Sequence, residues 1–358
     1  MLFFELLQIA LGNRERLSVV PSAEEWTEIY TESERQAVTG ILLQGIEKLS
    51  AEQRPAKVFL LQWIGVGEII KQHNSLLNGR CKELTSNLSA AGLHPTILKG
   101  QGVAQYYPEA LQMFRLPGDI DVFVSDGRKE AIAYAKSLGQ KDIDWDYKHL
   151  HLKMWNDTEV EMHYHVEVLL NLWKNRKLQK WFKTHTDHLF GHTDFTDTTD
   201  LITPTTEFNV FYILLHIYRH FLYEGVGLRQ IVDYYFVLKN LNDNLNVNES
   251  YAYKAVREFG MTRFAKGLMW VMHEALGMPR EWMLWEPDEK EGRYILKQVM
   301  TGGNFGHHDK RLKHSGGKLG AVKAILTHNL HLLTHYPSDV IWAPVWIVWH
   351  KLWKLTRV

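Results

Sequence analysis

The stretch Arg115-Leu-Pro-Gly-Asp-Ile-Asp-Val-Phe-Val124 decides how this chain is read. From Asp119 onward it alternates, so Ile120, Val122 and Val124 point to one side of a strand and Asp119 and Asp121 to the other. Proline and glycine just ahead of Asp119 mark the turn at which that strand begins. Two carboxylates on one strand face lie about 6–7 Å apart along the chain, and hard divalent cations take oxygen ligands. Mg²⁺, or Mn²⁺ in its place, is therefore the expected ion. A two-ion site needs carboxylates that bridge ions about 3.5–4 Å apart; a solvated edge strand is the plainer use of the same pattern.

Both flanks of this stretch add to it. Upstream, Thr96-Ile-Leu reads as a short buried strand ending at Lys99-Gly100, and Gln101-Gly102 leads into Val103 to Tyr107. A glycine-bearing turn that opens a helix offers backbone amides to phosphate, or is simply a strand-to-helix connection. Downstream, Arg128 to Leu138 is helical, and Tyr147 to Trp155 and Glu159 to Val168 read as strands around the turn Asn156-Asp-Thr. That turn predicts a hairpin, so part of the sheet should be antiparallel. Leu150, Leu152 and Met154 share one face, as do Val160, Met162, Tyr164 and Val166. His149, His151, Lys153, Glu161, His163 and His165 share the other, which is expected to be open and polar. There Glu161 would complete a trio of carboxylates with Asp119 and Asp121.

The rest of the chain has a helical period. Residues 1–92 form a helical lead-in, with helices expected over Glu24 to Leu49 and Val58 to Leu88. Residues 93–200 form the core with the short strands. Residues 201–358 are helical again, with helices expected at Thr206 to Tyr223, Arg229 to Leu241, Tyr251 to Leu276, Lys290 to Met300 and Lys318 to His335. Gly302-Gly-Asn-Phe-Gly and Ser315-Gly-Gly mark loops. The fold class is α+β, a small mixed sheet flanked by helices on both sides in sequence.

Composition narrows the function classes. Hydrophobic residues at 45% and charged residues at 23% describe an ordinary globular chain and exclude disorder or a collagen-like structure. Forty-one basic residues balance 41 acidic ones, which argues against a surface built throughout for nucleic acid. Cys81 is the only cysteine, so no intrachain disulfide and no multi-thiolate zinc site can form. A reducing cytoplasm fits that usage. The opening MLFFELLQIALG has no basic residue ahead of it and carries Glu5, unlike a signal peptide. No window reaches the roughly 18 apolar residues of a membrane-spanning helix, so a soluble protein is expected.

Four segments in order resemble the uncharacterised nucleotidyltransferase-like proteins of the DNA polymerase β nucleotidyltransferase superfamily. They are Ile97-Leu-Lys-Gly100, Arg115 to Val124, Val160-Glu-Met-His163 and Gly227-Leu-Arg-Gln-Ile-Val-Asp233. The resemblance implies a small mixed sheet with helices on one side and metal ligands at Asp119, Asp121 and Glu161. It implies transfer of a nucleotidyl group from a nucleoside triphosphate to an unidentified acceptor, with Glu161 helping to take the acceptor's proton. Lys99 and the amides of Gly100, Gln101 and Gly102 would then neutralise phosphate. Arg115 would hold phosphate as a two-pronged donor, or anchor the loop before the strand. His163 would orient a carboxylate or phosphate. Arg229 and Asp233, four apart on one helix face, would meet the nucleotide or acceptor, or form a surface ion pair. The C-terminal helices would supply the acceptor pocket. Two departures are visible: the superfamily usually has Gly-Ser or Gly-Gly after the first strand, and its third acid is commonly aspartate. They motivate an alternative, a nucleotide- or protein-binding module of the same fold without turnover.

A rival uses the histidines. His149-x-His151 and His163-x-His165 on adjacent strands could assemble zinc or iron with Glu161, giving a metallohydrolase. The 19 histidines are scattered along the chain, however, so the oxygen-rich trio is preferred and zinc is not expected. Finally, Trp342, Trp346, Trp349 and Trp353 stand at helical spacing in a C-terminal stretch that, from Lys310 to Val358, has eight basic residues and one acidic. Packing against the body is the expected use of this apolar helix, and a peripheral contact with a membrane or partner is the alternative.

Overall fold

In the computed structural model, which describes residues 2–189, 201–244, 250–309 and 330–356, helix α1 spans Leu2–Leu11 and α2 spans Ala23–Arg35. Ser22 starts α2: its hydroxyl accepts from the Glu25 amide while the Glu25 carboxylate accepts from the Ser22 amide. The single helix expected from Glu24 to Leu49 is two, because Ala37 takes a positive φ of 57° and α3 starts afresh at Thr39–Lys48. Helix α4, Lys57–Ala90, is followed by β1 (Pro95–Ile97), α5 (Gln101–Ala104), α6 (Glu109–Gln112), β2 (Ile120–Val124), α7 (Arg128–Ser137), β3 (His149–His151) and β4 (Val160–His163). The strands are shorter than the alternation suggests. Helix α8, Leu172–Leu189, was not foreseen; α9 (Thr206–Tyr223) and α10 (Leu228–Asp243) were. Gly260, at φ 74°, splits the expected Tyr251 to Leu276 helix into α11 (Ser250–Glu258) and α12 (Thr262–Leu276). Helices α13 (Glu289–Gly302), α14 (Pro337–Val340) and α15 (Trp342–Leu355) complete the order. Most of the expected Lys318 to His335 helix and the Ser315-Gly-Gly loop lie outside the described residues.

Two compact units are assembled from non-contiguous segments. The first draws on the described residues of Met1–Leu76, Ala104–Pro117 and Tyr223–Lys310. The second draws on those of Leu77–Val103, Gly118–Leu222 and Arg311–Val358. A division in chain order at 92 and 200 follows the change of period, whereas each unit takes strands or helices from several parts of the chain. The first unit is helical, with α1 packed on α3 and on α12, and α12 on α13.

The second unit holds a four-stranded sheet in the order β1-β2-β4-β3, in which β2 and β4 are parallel and the outer pairs antiparallel. The expected alternation holds. Ile120, Val122, Val124, Leu150, Val160 and Met162 form one face, buried against Leu77, Cys81, Leu84 and Leu88 of α4 and Ala131 and Ala135 of α7. The Cys81 thiol in that core is pushed up to about 12, chiefly by burial. The other face is polar, but contrary to expectation it is not open, because charged and ring groups pack against one another there: Asp121 is 3% exposed and His163 fully buried.

Helix α15 divides its surface. Trp346, Trp349 and Trp353 stand edge-on to Tyr147 at 5.6, 5.2 and 5.2 Å, and Trp353 also meets Trp145. The tryptophan side therefore packs against the body of its unit. Ile341, Val345, Val348, Leu352 and Leu355 remain exposed. No helix among the described residues is long and apolar enough to cross a membrane.

Met162 lies between Val122 and Leu150 in register and has no exposure. Met162→Ala should lower unfolding stability by about 2–5 kcal/mol, the range for truncating a buried side chain of this size. Urea unfolding followed by circular dichroism checks this, and a loss under about 1 kcal/mol would contradict the packing described.

Candidate active site

Asp121 and Glu161 are cross-strand neighbours on the parallel strands β2 and β4, and His151 of β3 lies opposite Glu161 on its other side. Because the pleat turns these residues to the same face, their side chains converge. The Nε2 of His163 lies 2.9 Å from Asp121 Oδ1 and 3.1 Å from Glu161 Oε2. Lys99, just past β1, places Nζ 2.8 Å from the same Asp121 oxygen. His149, opposite His163, brings Nδ1 to 3.2 Å from Glu161 Oε2.

The electrostatics follow from these contacts. Burial would raise the Asp121 carboxyl, but the Lys99 ammonium and the His163 bond overcome it and hold the group down at about 2. Glu161 likewise overcomes burial through His163 and Lys99 and lies far below the usual carboxylate range. Asp119, half-buried at the entrance to β2, makes no such bond among the described residues and feels Lys99 only at a distance. The Asp121 charge beside it, then burial, pushes it up to about 6. His163 is raised despite burial by its two carboxylate bonds, and its Nδ1 is buried without a hydrogen-bond partner. His149 is pulled down to about 4, chiefly by burial.

Ligand atoms of Asp121, Glu161 and His163 lie within 4.8 Å of one another. Asp121 engages its partners through Oδ1 alone and Glu161 through Oε2 alone, so Oδ2 and Oε1 carry no hydrogen bond among the described residues. Two carboxylates with ligand atoms within 4.8 Å, each with one oxygen uncommitted, fit a divalent cation. Asp119 falls outside this close group, although it feels the charge of Asp121.

The expected phosphate cradle is built differently. The Gly102 amide bonds to the Lys99 carbonyl at 2.9 Å and the Val103 amide to the Gly100 carbonyl at 3.2 Å, so both amides close the turn itself. The helix that the turn opens is a single turn of four residues, and Gln101 points its amide to Asn78. Gly102 is needed for space: a Cβ there would lie 2.6 Å from the Ile97 carbonyl oxygen.

Arg115, Arg229 and Asp233 belong to the first unit, and their arrangement corrects the expected surface pair. Asp233 is paired with Arg115, Nε to Oδ1 at 2.6 Å and the second prong to Oδ2 at 2.8 Å, and accepts from Tyr107 at 2.6 Å. All three are buried. Arg229 instead donates to the Leu116 carbonyl at 3.0 Å and that of Pro117 at 3.5 Å. Arg115 is thus the loop anchor of the two uses considered, and its charge is already matched.

A further network in the second unit escaped the sequence reading. The fully buried Glu167 accepts from His216 at 3.0 Å, with Arg219 Nε at 3.4 Å and Lys148 Nζ at 3.7 Å. One turn before His216, Tyr212 is fully buried, and its hydroxyl, which has no hydrogen-bond partner, interacts electrostatically with Lys99, Glu167, Asp121 and Glu161. The signal available was the set of polar residues on the otherwise apolar α9. His165 leaves the cluster altogether and stacks on Tyr147 at 4.6 Å.

Residues 22–277, most of the chain, match the family described as uncharacterised nucleotidyltransferase. The chain belongs to that family. Its small mixed sheet among helices is consistent with the α+β core of a nucleotidyltransferase. No curated protein and no solved structure is detectably similar to it.

The Arg115–Asp233 pair is asymmetric in its consequences. Asp233→Ala leaves a guanidinium buried without its counter-charge, which typically costs about 3–5 kcal/mol. A thermal melt of this variant should show a pronounced loss of stability, while a variant as stable as wild type would show the pair to be dispensable.

Proposed function

We propose that the protein transfers a nucleotidyl group from a nucleoside triphosphate to an acceptor hydroxyl or phosphate, using divalent metal held at Asp121, Glu161 and Asp119. The observation that carries this reading is the registered Asp121–Glu161 pair with one uncommitted oxygen on each carboxylate, in a chain of this family. Mg²⁺ or Mn²⁺ at such a site supplies charge neutralisation for the triphosphate and acidifies the attacking hydroxyl.

The chain's own groups have separable tasks. Asp121 Oδ2 and Glu161 Oε1 would hold the cation, and Asp119 would add charge at the entrance to the strand. Lys99 balances Asp121 before the cation arrives and is the nearest ammonium for phosphate afterwards. Glu161 is ionised, so it can accept the acceptor's proton. His163 fixes its orientation and lowers its basicity, which places its catalytic contribution near the lower end of the usual range. The reading sets the enzyme in the cytoplasm, where nucleoside triphosphates are present.

The alternative, a binding module without turnover, draws support from the turn after β1, whose Gly102 and Val103 amides already have partners. Calorimetry with Mn²⁺ and ATP, followed by a search for pyrophosphate release with labelled triphosphates and a cell extract, separates the two. Binding without any transfer would favour the module.

Two outcomes are expected. Glu161→Gln, whose amide oxygen can still reach the cation, should keep most nucleotide affinity but lower the transfer rate by about 10², at the low end for a general base, whereas Asp121→Asn, which also removes the counter-charge of Lys99 and His163, should impair both. Equal turnover of Glu161→Gln and wild type would remove Glu161 as the base. The second outcome concerns pH. Asp119, with its pKa near 6, is protonated at pH 5 and charged at pH 7.5, so the acidic cluster attracts cations more strongly at the higher pH. Mn²⁺ at 100 times its Kd adds about 2.7 kcal/mol to stability. The same Mn²⁺ concentration should therefore raise Tm clearly at pH 7.5 and much less at pH 5; equal shifts would contradict the assignment.

A further inference from the structure

Glu161 has a second set of neighbours. On the β3 side of the sheet, His149 and His151 stand two apart on one strand, and ligand atoms of His149, His151 and Glu161 lie within 4.8 Å of one another. The rings of His149 and His151 are 5.0 Å apart at their centroids. All three residues are partly exposed, unlike Asp121 and His163.

From this geometry we infer that His149, His151 and Glu161 form a second metal site, selective for a nitrogen-seeking transition ion such as Zn²⁺ or Fe²⁺ over Mg²⁺, and joined to the first site through Glu161. The donor set is the argument. Two imidazoles and one carboxylate on one face leave the remaining positions open, and nitrogen ligands suit zinc, iron and their neighbours, whereas Mg²⁺ prefers oxygen and water. Metal–ligand distances of about 2.0–2.2 Å require the three donors to close in somewhat, which side-chain torsions on adjacent strands can supply.

Two further features match such a site. His151 Nδ1 lies 3.1 Å from Glu159 Oε1, a carboxylate on the ring's other side of the kind that orients metal-bound histidines. The Nδ1 of His149 is buried with no hydrogen-bond partner although it lies 3.2 Å from Glu161 Oε2, close to the carboxylate but not bonded to it. A cation between them would satisfy both. His163 is excluded from this group by its bonds to Asp121 and Glu161, and His165 by its stacking on Tyr147. The four-histidine constellation suggested by the sequence is thus reduced to two imidazoles and one acid.

The inference stands apart from nucleotidyl transfer, because it concerns binding alone. Untagged protein dialysed against chelator is titrated with Co²⁺, followed by its visible absorption and by calorimetry, and then with Zn²⁺ in competition. Wild type should bind one equivalent of Co²⁺ with an imidazole-type spectrum and release it to Zn²⁺, with a tenfold excess of Mg²⁺ having no effect. The His149→Asn, His151→Asn double variant should lose this affinity by more than the 10–100-fold typical of losing a supporting group, with its circular dichroism unchanged. Should the double variant fail to fold, His151→Asn alone, at the more exposed position, should weaken Co²⁺ by at least about tenfold. Asp121→Asn should retain the Co²⁺ spectrum while losing the Mn²⁺-dependent nucleotide binding of the first site. Undiminished Co²⁺ binding in the histidine variants would overturn the second site. Equal loss of Co²⁺ in Asp121→Asn would also overturn it, by showing a single merged site. Neither result bears on whether Asp121 supports nucleotide binding.

Discussion

Asp121 Oδ1 is the point on which the second unit's polar face depends. A carboxylate this deeply buried is tolerated only when its charge is matched, and here one oxygen takes both the Lys99 ammonium and the His163 imidazole. Those two contacts tie β1, β2 and β4 together on the face opposite the hydrophobic core. They also leave Oδ2 and the matching Glu161 oxygen uncommitted. The sheet is therefore held on one face by Ile120, Val122 and Met162 packing and on the other by charge, and the charged side is the chemically useful one.

The approach to β2 is secured separately within the first unit. Arg229 holds the Leu116 and Pro117 carbonyls, and Arg115 is clasped by Asp233 and Tyr107. These residues immediately precede Gly118 and Asp119 in the chain. Two arginines thus fix the backbone that leads into the acidic strand, without either needing to touch a substrate. Their charges serve position, and Arg→Lys at either site would lose the forked geometry that makes the hold directional.

What could be read from sequence was what local periodicity carries. The placement of Asp121, Glu161 and His163 on one sheet face and of Met162 and Leu150 in the core follows from a period of two, and the structure keeps it; Asp119, expected on the same strand, lies one residue ahead of β2, which begins at Ile120. What could not be read depends on residues far apart in the chain. Closure of the polar face involves Tyr212 and His216 on α9, some 50 residues beyond β4, and the Arg115–Asp233 pair closes a separation of 118 residues. Helix α8 went unseen because a run of Lys174, Asn175, Arg176, Lys177, Gln179 and Lys180 masks the apolar Leu178 and Phe182 that it buries. The split of α2 from α3 turned on a single residue, Ala37, in a conformation that alanine rarely adopts.

The contrast between Asp119 and Asp121 shows how one strand can give two identical side chains different work. They are two residues apart, yet the Lys99 ammonium and the His163 imidazole bond to Asp121 and hold it down at about 2, while Asp119 is raised by its neighbour's charge and by burial, against the attraction of Lys99, to about 6. The balanced carboxylate is a permanent anion fixed in place. The less balanced one is held against repulsion that Lys99 offsets only in part. That asymmetry is what a chain needs if its fold must be stable before a divalent ion arrives and must still favour the ion's arrival: full neutralisation by lysines would remove the attraction, and no neutralisation would strain the sheet.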